Sequence, residues 1–157
     1  MLAAMSRAAA IVLGVMVLGA GCAPSAEDQQ LRLTVDATPV ESRLGELGVL
    51  SVEVYGVRET TTLCTLARRC LYPLDLGSPQ TSADLQAALR EVEPLVEVDA
   101  AAAHQVAVIG RPGGLCDERG PFLACGFADL ATAHGGELTV GLAEGQCPTT
   151  LPEFCPQ

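Results

Sequence analysis

Leu31-Arg32-Leu33-Thr34-Val35-Asp36-Ala37 alternates apolar and polar residues at every position. Successive side chains of a β-strand point to opposite faces, so a period of two is typical of a strand with one face on a core and one face in water. A helix would place its apolar residues three or four positions apart. The stretch therefore predicts a half-buried strand and indicates a β protein.

The same alternation returns in residues 48–57. We expect its apolar side chains to face the core and its polar side chains to face solvent. The apolar set is Leu50, Val52 and Val54, and the polar set is Ser51, Glu53 and Tyr55. Residues 39–48, which contain Pro39, Gly45 and Gly48, are predicted to connect these two strands.

Further strands are predicted along the rest of the chain, from β-branched and alternating patterns. They are expected at residues 60–64, 95–98, 104–110, 123–130 and 137–142. After the first of these, a tight excursion through Arg68 and Arg69 is expected to return the chain to Cys70. Gly135 and Gly136 precede the last strand and permit the positive φ that a tight hairpin turn needs.

One short helix is predicted after residue 80. Thr81 can cap its N-terminus with Asp84 three residues later, Leu85 and Leu89 lie on one apolar stripe, and Pro94 ends it. We expect this helix to cover one end of the core.

Together these patterns predict a mainly β domain: an antiparallel β-sandwich with one short helix, braced by disulfides. The immunoglobulin-like and the transthyretin-like arrangements both fit the number of strands. We assign residues 31–142 to the β-sandwich and residues 143–157 to a C-terminal tail pinned by cysteines.

The N-terminal residues have the three parts of an export signal. Arg7 supplies a cation, residues 8–18 are apolar, and residues 19–21 are small and lie directly before Cys22. The apolar run is too short to cross a bilayer, which takes roughly 20 residues in a helix. Residues 1–21 are therefore interpreted as a signal peptide, and the small and polar residues 22–30 as a flexible tether.

Residues 1–22 resemble bacterial lipoprotein signal peptides. This resemblance implies cleavage before Cys22, a diacylglyceryl thioether on its sulfur, and attachment to the membrane of the bacterial cell envelope through acyl chains such as palmitate. Ala23 stands where some Gram-negative lipoproteins carry an inner-membrane retention aspartate, which favours the outer membrane if the host has one. A secreted protein cleaved near Ala20 and an uncleaved anchor are the alternatives.

The chain has seven cysteines, and an odd thiol in an exported protein needs an explanation. Lipidation of Cys22 would leave an even set, which an oxidising compartment is expected to join in three bridges. Because the set falls into three close pairs, we expect three local disulfides. These pairs are Cys64/Cys70, Cys116/Cys125 and Cys147/Cys155.

Charge excludes one class of partner. Without the signal peptide, eight arginines remain against 19 acidic residues, a net charge of −11. Phosphate backbones would be repelled, so no nucleic-acid partner is expected. Binding to anionic lipid through basic side chains is equally unexpected, and the N-terminal lipid would have to hold the membrane alone.

The usual chemical motifs are missing from the sequence. No Cys-x-x-Cys pair occurs, and His104 and His134 lack ligand-like spacing, so no metal site and no cofactor are predicted. The nearest approach to a Gly-x-Ser-x-Gly elbow, residues 76–80, lacks the second glycine. No catalytic residue is assigned, and the sequence favours a protein that is not an enzyme.

One loop is a candidate binding surface. If Cys116 and Cys125 pair, the bridge would present Asp117, Glu118 and Arg119 at a rigid tip. We therefore expect a lipid-anchored binding or structural module of the cell envelope, with an unidentified envelope protein as its partner. The alternative is an envelope hydrolase or inhibitor-like domain whose active groups meet only in the folded chain.

Overall fold

The computed structural model describes residues 29–58, 62–71, 78–91, 95–98, 102–113, 115–116 and 120–156. Within these ranges the chain forms seven strands, one α-helix and two 3₁₀ helices, and the prediction of a mainly β protein is confirmed. The strands are β1 (Gln29–Asp36), β2 (Val49–Gly56), β3 (Cys64–Leu71), β4 (Leu95–Val98), β5 (Ala103–Arg111), β6 (Ala124–Asp129) and β7 (Glu137–Gly141). Helix α1 is Ser82–Glu91, and the 3₁₀ helices are Thr38–Glu46 and Leu130–Thr132.

The strands form two sheets. The four-stranded sheet has the order β3-β2-β5-β6 and is antiparallel throughout. The three-stranded sheet has the order β4-β1-β7, in which β1 runs antiparallel to β4 but parallel to β7. The expectation of a wholly antiparallel fold is therefore wrong for the β1–β7 pair. The chain passes through the other sheet in β6 before it enters β7, and it then runs beside β1 in the same direction.

Local patterns explain β1 and the turn before β7. Leu31, Leu33 and Val35 are buried, while the alternate residues Arg32 and Asp36 are exposed, as the alternation predicts. The turn before β7 has positive φ at both glycines, 60° at 135 and 79° at 136. Backbone hydrogen bonds in both directions close it between residues 134 and 137. The turn prediction is therefore confirmed.

The two sheets share one apolar core. Residues from both sheets and from the helix contribute to it. They include Leu31, Leu33 and Val35 of β1, Val52 and Val54 of β2, Leu85 and Leu89 of α1, Val106 and Val108 of β5, and Leu138 and Val140 of β7. Both sheets and the helix thus bury apolar side chains in the same core.

Helix α1 begins where the sequence predicts. The Asp84 backbone N–H donates to Thr81 Oγ1 at 3.1 Å, and the Thr81 backbone N–H donates to Asp84 Oδ2 at 3.0 Å, so both partners of the capping box are satisfied. Two α1 side chains dock the helix on β1, since Gln86 and Ser82 accept hydrogen bonds from its end. Among the described residues, no helix combines the length and the apolar character that a bilayer crossing needs.

One local expectation is wrong. Strand β3 continues through Arg68 and Arg69 to Leu71 without the predicted excursion, because its backbone pairs with β2 from Cys64 to Leu71, with a register shift at Leu66. The predicted connection between β1 and β2 is confirmed, and it contains the 3₁₀ helix Thr38–Glu46, whose side chains Val40 and Leu44 are buried.

The two sheets approach closely along one edge. Gly126 of β6 lies against the backbone oxygen of Gly141, and a Cβ atom at position 126 would collide with it. Just beyond β7, the backbone groups of Ala143 and Cys125 exchange two hydrogen bonds, with N···O distances of 3.0 and 3.1 Å. After β7 the chain therefore continues along the outer side of the four-stranded sheet.

Candidate functional site

The outer face of the large sheet is buried, not exposed. Ser51, Glu53 and Tyr55, predicted to face solvent, have exposed fractions of 1%, 0% and 1%. This prediction is wrong because residues 143–156, which we call the tail, lie across the sheet. Tyr55 belongs to a second, smaller apolar cluster that residues of the tail help to cover.

Buried carboxylates are costly unless they are paired and hydrogen-bonded, and Glu53 is both. Arg68 Nε donates to Glu53 Oε1 at 2.9 Å, and Arg68 Nη2 donates to Oε2 at 3.2 Å. Ser51 Oγ donates to Oε1 at 3.2 Å, and the Tyr55 hydroxyl donates to Oε2 at 3.1 Å. Four donors therefore fix the carboxylate, and the carboxylate in turn fixes the plane of the Arg68 guanidinium.

Tyr55 is held in its protonated form. Burial raises the pKa of its hydroxyl, and the negative charge of Glu53 raises it further. A phenolate at this position would face a carboxylate in a dry environment. Tyr55 is therefore a fixed hydrogen-bond donor.

The tail is attached to the sheet by covalent and hydrogen bonds. The Cys64–Cys155 and Cys125–Cys147 disulfides join it to β3 and β6. Between them, the Thr65 backbone N–H donates to the Glu153 carbonyl at 2.7 Å, and Thr65 Oγ1 donates to the Pro152 carbonyl at 2.8 Å. These contacts hold the tail over the outer face.

A cavity of about 490 Å³ lies between the tail and the sheet. This volume is within the range of small-molecule binding sites. We call it the tail cavity. Its lining comes from β3, the end of β5, the chain before β6 and the tail. The lining residues are Arg68, Arg111, Gly120, Phe122, Thr149, Thr150, Leu151, Pro152, Glu153 and Phe154.

Two guanidinium groups in this lining lie over aromatic rings. Arg68 Cζ is 4.8 Å from the centre of the Phe154 ring, and Arg111 Cζ is 5.1 Å from the centre of the Phe122 ring. Arg111 is only 6% exposed. Stacking on a ring and burial both restrict the motion of these side chains, so the cavity combines two held guanidinium groups with apolar surface.

The six predicted disulfide cysteines all form bridges, but the predicted local pairing is wrong. The structure joins Cys64 to Cys155, Cys70 to Cys116, and Cys125 to Cys147. Cys64 and Cys70 cannot pair, because an extended strand separates residues six positions apart by about 20 Å, far beyond the Cα–Cα reach of a disulfide.

Several predicted positions lie outside the described residues. These are Cys22 and the candidate loop residues Asp117, Glu118 and Arg119. The brace expected for that loop is absent, since Cys116 is bonded to Cys70 on β3 and not to Cys125. The prediction of a rigid loop tip depended on a Cys116–Cys125 bridge, and this bridge does not form.

The histidines do not line the tail cavity. His104 lies at the start of β5 and His134 at the turn before β7, and both are exposed. In the part of the chain that the structure describes, no group of three or more His, Cys, Asp or Glu residues could hold a metal ion.

Arg68, Arg111 and Glu53 were not predicted as site residues from the sequence. A signal for two of them was present, because Glu53 and Arg68 are opposite charges on strands that are consecutive in the sequence. The cross-strand register places them directly opposite each other. Arg111 directly follows the apolar stretch from Val106 to Gly110, and no local pattern marks it as facing a cavity.

Comparison with known protein families, with characterised proteins and with solved structures finds no match for this chain.

Proposed function

We propose that this protein is a lipid-anchored module of the bacterial cell envelope that binds a small ligand in the tail cavity and is not an enzyme. The observation that carries the binding role is the cavity itself, which holds two restrained guanidiniums beside apolar surface. The lipid anchor is carried by the signal-like residues 1–22.

The disulfides support the envelope location. Three bridges indicate an extracellular or periplasmic protein, since such bonds persist in oxidising compartments and are rare in the cytosol. They also support lipidation of Cys22. Because the other six cysteines are paired among themselves, Cys22 is the odd cysteine that the lipid would occupy.

We also propose that the two sheets form a β-sandwich, with the immunoglobulin-like and the transthyretin-like arrangements as the alternatives. Support comes from the common core between the sheets, to which β1, β2, β5 and β7 all contribute inward side chains.

The location and the anchor can be tested together by intact mass spectrometry of the protein extracted from the host membrane fraction. We expect the mass of a chain that begins at Cys22 and carries acyl groups, and a gain of six hydrogens on reduction. The matched variant Cys22→Ala should lose the acyl mass and keep the three bridges. An unprocessed chain, or free thiols before reduction, would contradict the proposal.

The binding role can be tested by native mass spectrometry and a fragment screen on the purified protein. Gly120 lines the cavity, and a Cβ atom placed there meets no atom of the described residues within 4 Å, so Gly120→Trp introduces a large side chain into the lining. The control is Gly141→Ala, at an exposed glycine outside the cavity where a Cβ also meets nothing. We expect bound small molecules in the wild type and the control, and loss of binding in Gly120→Trp. A wild-type protein that retains no molecule and binds no fragment would refute the role.

A further inference from the structure

We infer that the tail cavity takes a small organic monoanion, namely a carboxylate carried on an apolar or aromatic body. This inference deepens the proposed binding role and rests on it. It adds the chemical class of the ligand, and it follows from which groups line the cavity and how they are held.

The arginines provide the site for the carboxylate. A guanidinium is planar and carries five N–H donors, and its fork matches the two oxygens of a carboxylate. Arg68 uses two of these donors on Glu53, which leaves donors for a ligand and sets the orientation in which they are offered. Arg111 is buried in the same lining, and with five donors it can bind a ligand as well as its neighbours in the protein.

The burial of these groups strengthens the interaction. A charge-assisted hydrogen bond is weakened less by solvent and salt inside a cavity than at an exposed surface. Both guanidiniums are also restrained by the rings they lie over, so a ligand would lose less affinity to the ordering of long side chains.

The remaining lining favours an apolar body. Phe122, Leu151, Pro152 and Phe154 share the lining with the two arginines, and Thr149 and Thr150 are its uncharged polar members. Phe154 is 58% exposed, which is unusual for a phenylalanine and leaves apolar surface available beside Arg68. A ligand with a carboxylate at one end and an apolar group at the other satisfies both parts of the lining.

The charge of the protein limits the ligand to one negative charge. The whole chain has a net charge of −10, and Glu153 is an exposed member of the cavity lining. Each further negative charge on a ligand would be repelled by this field, which disfavours phosphate and dicarboxylates against a monocarboxylate.

The test uses 4-fluorobenzoate as the probe, observed by ¹⁹F NMR with the full protein purified in nonionic detergent. We expect saturable binding that benzoate and phenylacetate compete away. Benzamide, which has the same shape without the charge, should compete at least about tenfold more weakly, as the loss of charge-assisted hydrogen bonds predicts. This comparison uses only the wild-type protein, so it does not depend on whether a variant folds.

Variants locate the site. Arg111→Gln should weaken 4-fluorobenzoate binding at least about tenfold, since a neutral amide replaces a guanidinium. Arg69→Gln is the matched control, because Arg69 is an exposed arginine beside Arg68 on β3 and is absent from the lining, and it should bind like the wild type. Far-ultraviolet circular dichroism of both variants verifies that each is folded.

Each other outcome counts against the inference in a different way. Equal competition by benzamide, or binding that Arg111→Gln leaves unchanged, would refute a carboxylate site while leaving a ligand-binding cavity. Displacement of the probe by inorganic phosphate at lower concentration than by benzoate would refute the restriction to monoanions. If 4-fluorobenzoate fails to bind but Gly120→Trp abolishes binding of other fragments, the carboxylate ligand class is refuted and the proposed binding role is supported.

Discussion

Glu53 and Arg68 are direct cross-strand partners on β2 and β3, and they form a two-point ion pair on a sheet face that the tail covers. The carboxylate is completely buried, whereas the Arg68 side chain is 16% exposed at the cavity. The pair therefore joins the interior of the fold to the surface that we propose for ligand binding.

Glu53→Gln should destabilise the protein. Removing one partner of a buried pair leaves the other charge uncompensated, and since Arg68 keeps some contact with water we expect a loss of about 2–4 kcal/mol in the free energy of unfolding. Urea titration followed by circular dichroism measures it. The control is Glu46→Gln, which breaks the exposed Arg43–Glu46 pair and should change stability little. Equal effects of the two substitutions would contradict this account of the pair.

Non-reducing tryptic mapping should distinguish the disulfide pairing of the structure from the local pairing. Trypsin cleaves after arginine except before proline, as at Arg111-Pro112, and places Cys64 in peptide 59–68 and Cys70 in peptide 70–90. We expect peptide 59–68 linked to peptide 120–157 through Cys155, and peptide 70–90 linked to peptide 91–119 through Cys116. A direct link between peptides 59–68 and 70–90 would support the local pairing and refute the structure.

Gly126→Ala should weaken the contact between the two sheets. Its added Cβ would collide with the backbone oxygen of Gly141 and with Val140, and overpacking of this kind costs about 1–3 kcal/mol. Thermal unfolding of the variant measures the loss. Gly141→Ala adds the same methyl group to the neighbouring strand in open space, so it should unfold close to the wild-type temperature. A wild-type melting temperature for Gly126→Ala would show that the sheets do not approach as described.

Asp84→Asn should remove a pH-dependent part of the stability. The hydrogen bonds with Thr81 hold the pKa of Asp84 below its ordinary value of 3.8. A carboxylate whose pKa is lower in the folded state stabilises it above the unfolded-state pKa and loses this effect as the pH falls through the folded-state pKa. The variant should thus be less stable than the wild type at pH 7, and the difference should shrink below about pH 4. Urea titrations at both pH values test this, and a constant difference would contradict it.

The sequence predicts the elements whose pattern is local. The alternation in β1, the capping box at Thr81 and the paired glycines before β7 are all determined by residues close to one another, and each appears as expected. The fold class followed from these elements because half-apolar strands must bury their apolar faces together.

The candidate site could not be predicted in the same way because distant residues build it. Ser51, Glu53 and Tyr55 have the pattern of a solvent face, and only the tail, which has no periodic pattern and contains several prolines, turns that face into an interior. The predicted disulfide pairing is wrong for the same reason, namely that the true partners are distant in the sequence. Proximity in sequence favoured Cys64 with Cys70, but both lie on one extended strand, whereas Cys155 reaches Cys64 across 91 positions.

Because β1 lies between β4 and β7, the first strand of the described residues obtains its second neighbour only when the polypeptide has reached residue 141. Pairing at such long separation makes folding slow and prevents early segments from completing it during synthesis. We therefore expect the three-stranded sheet to be completed only after all of β7 has been synthesised.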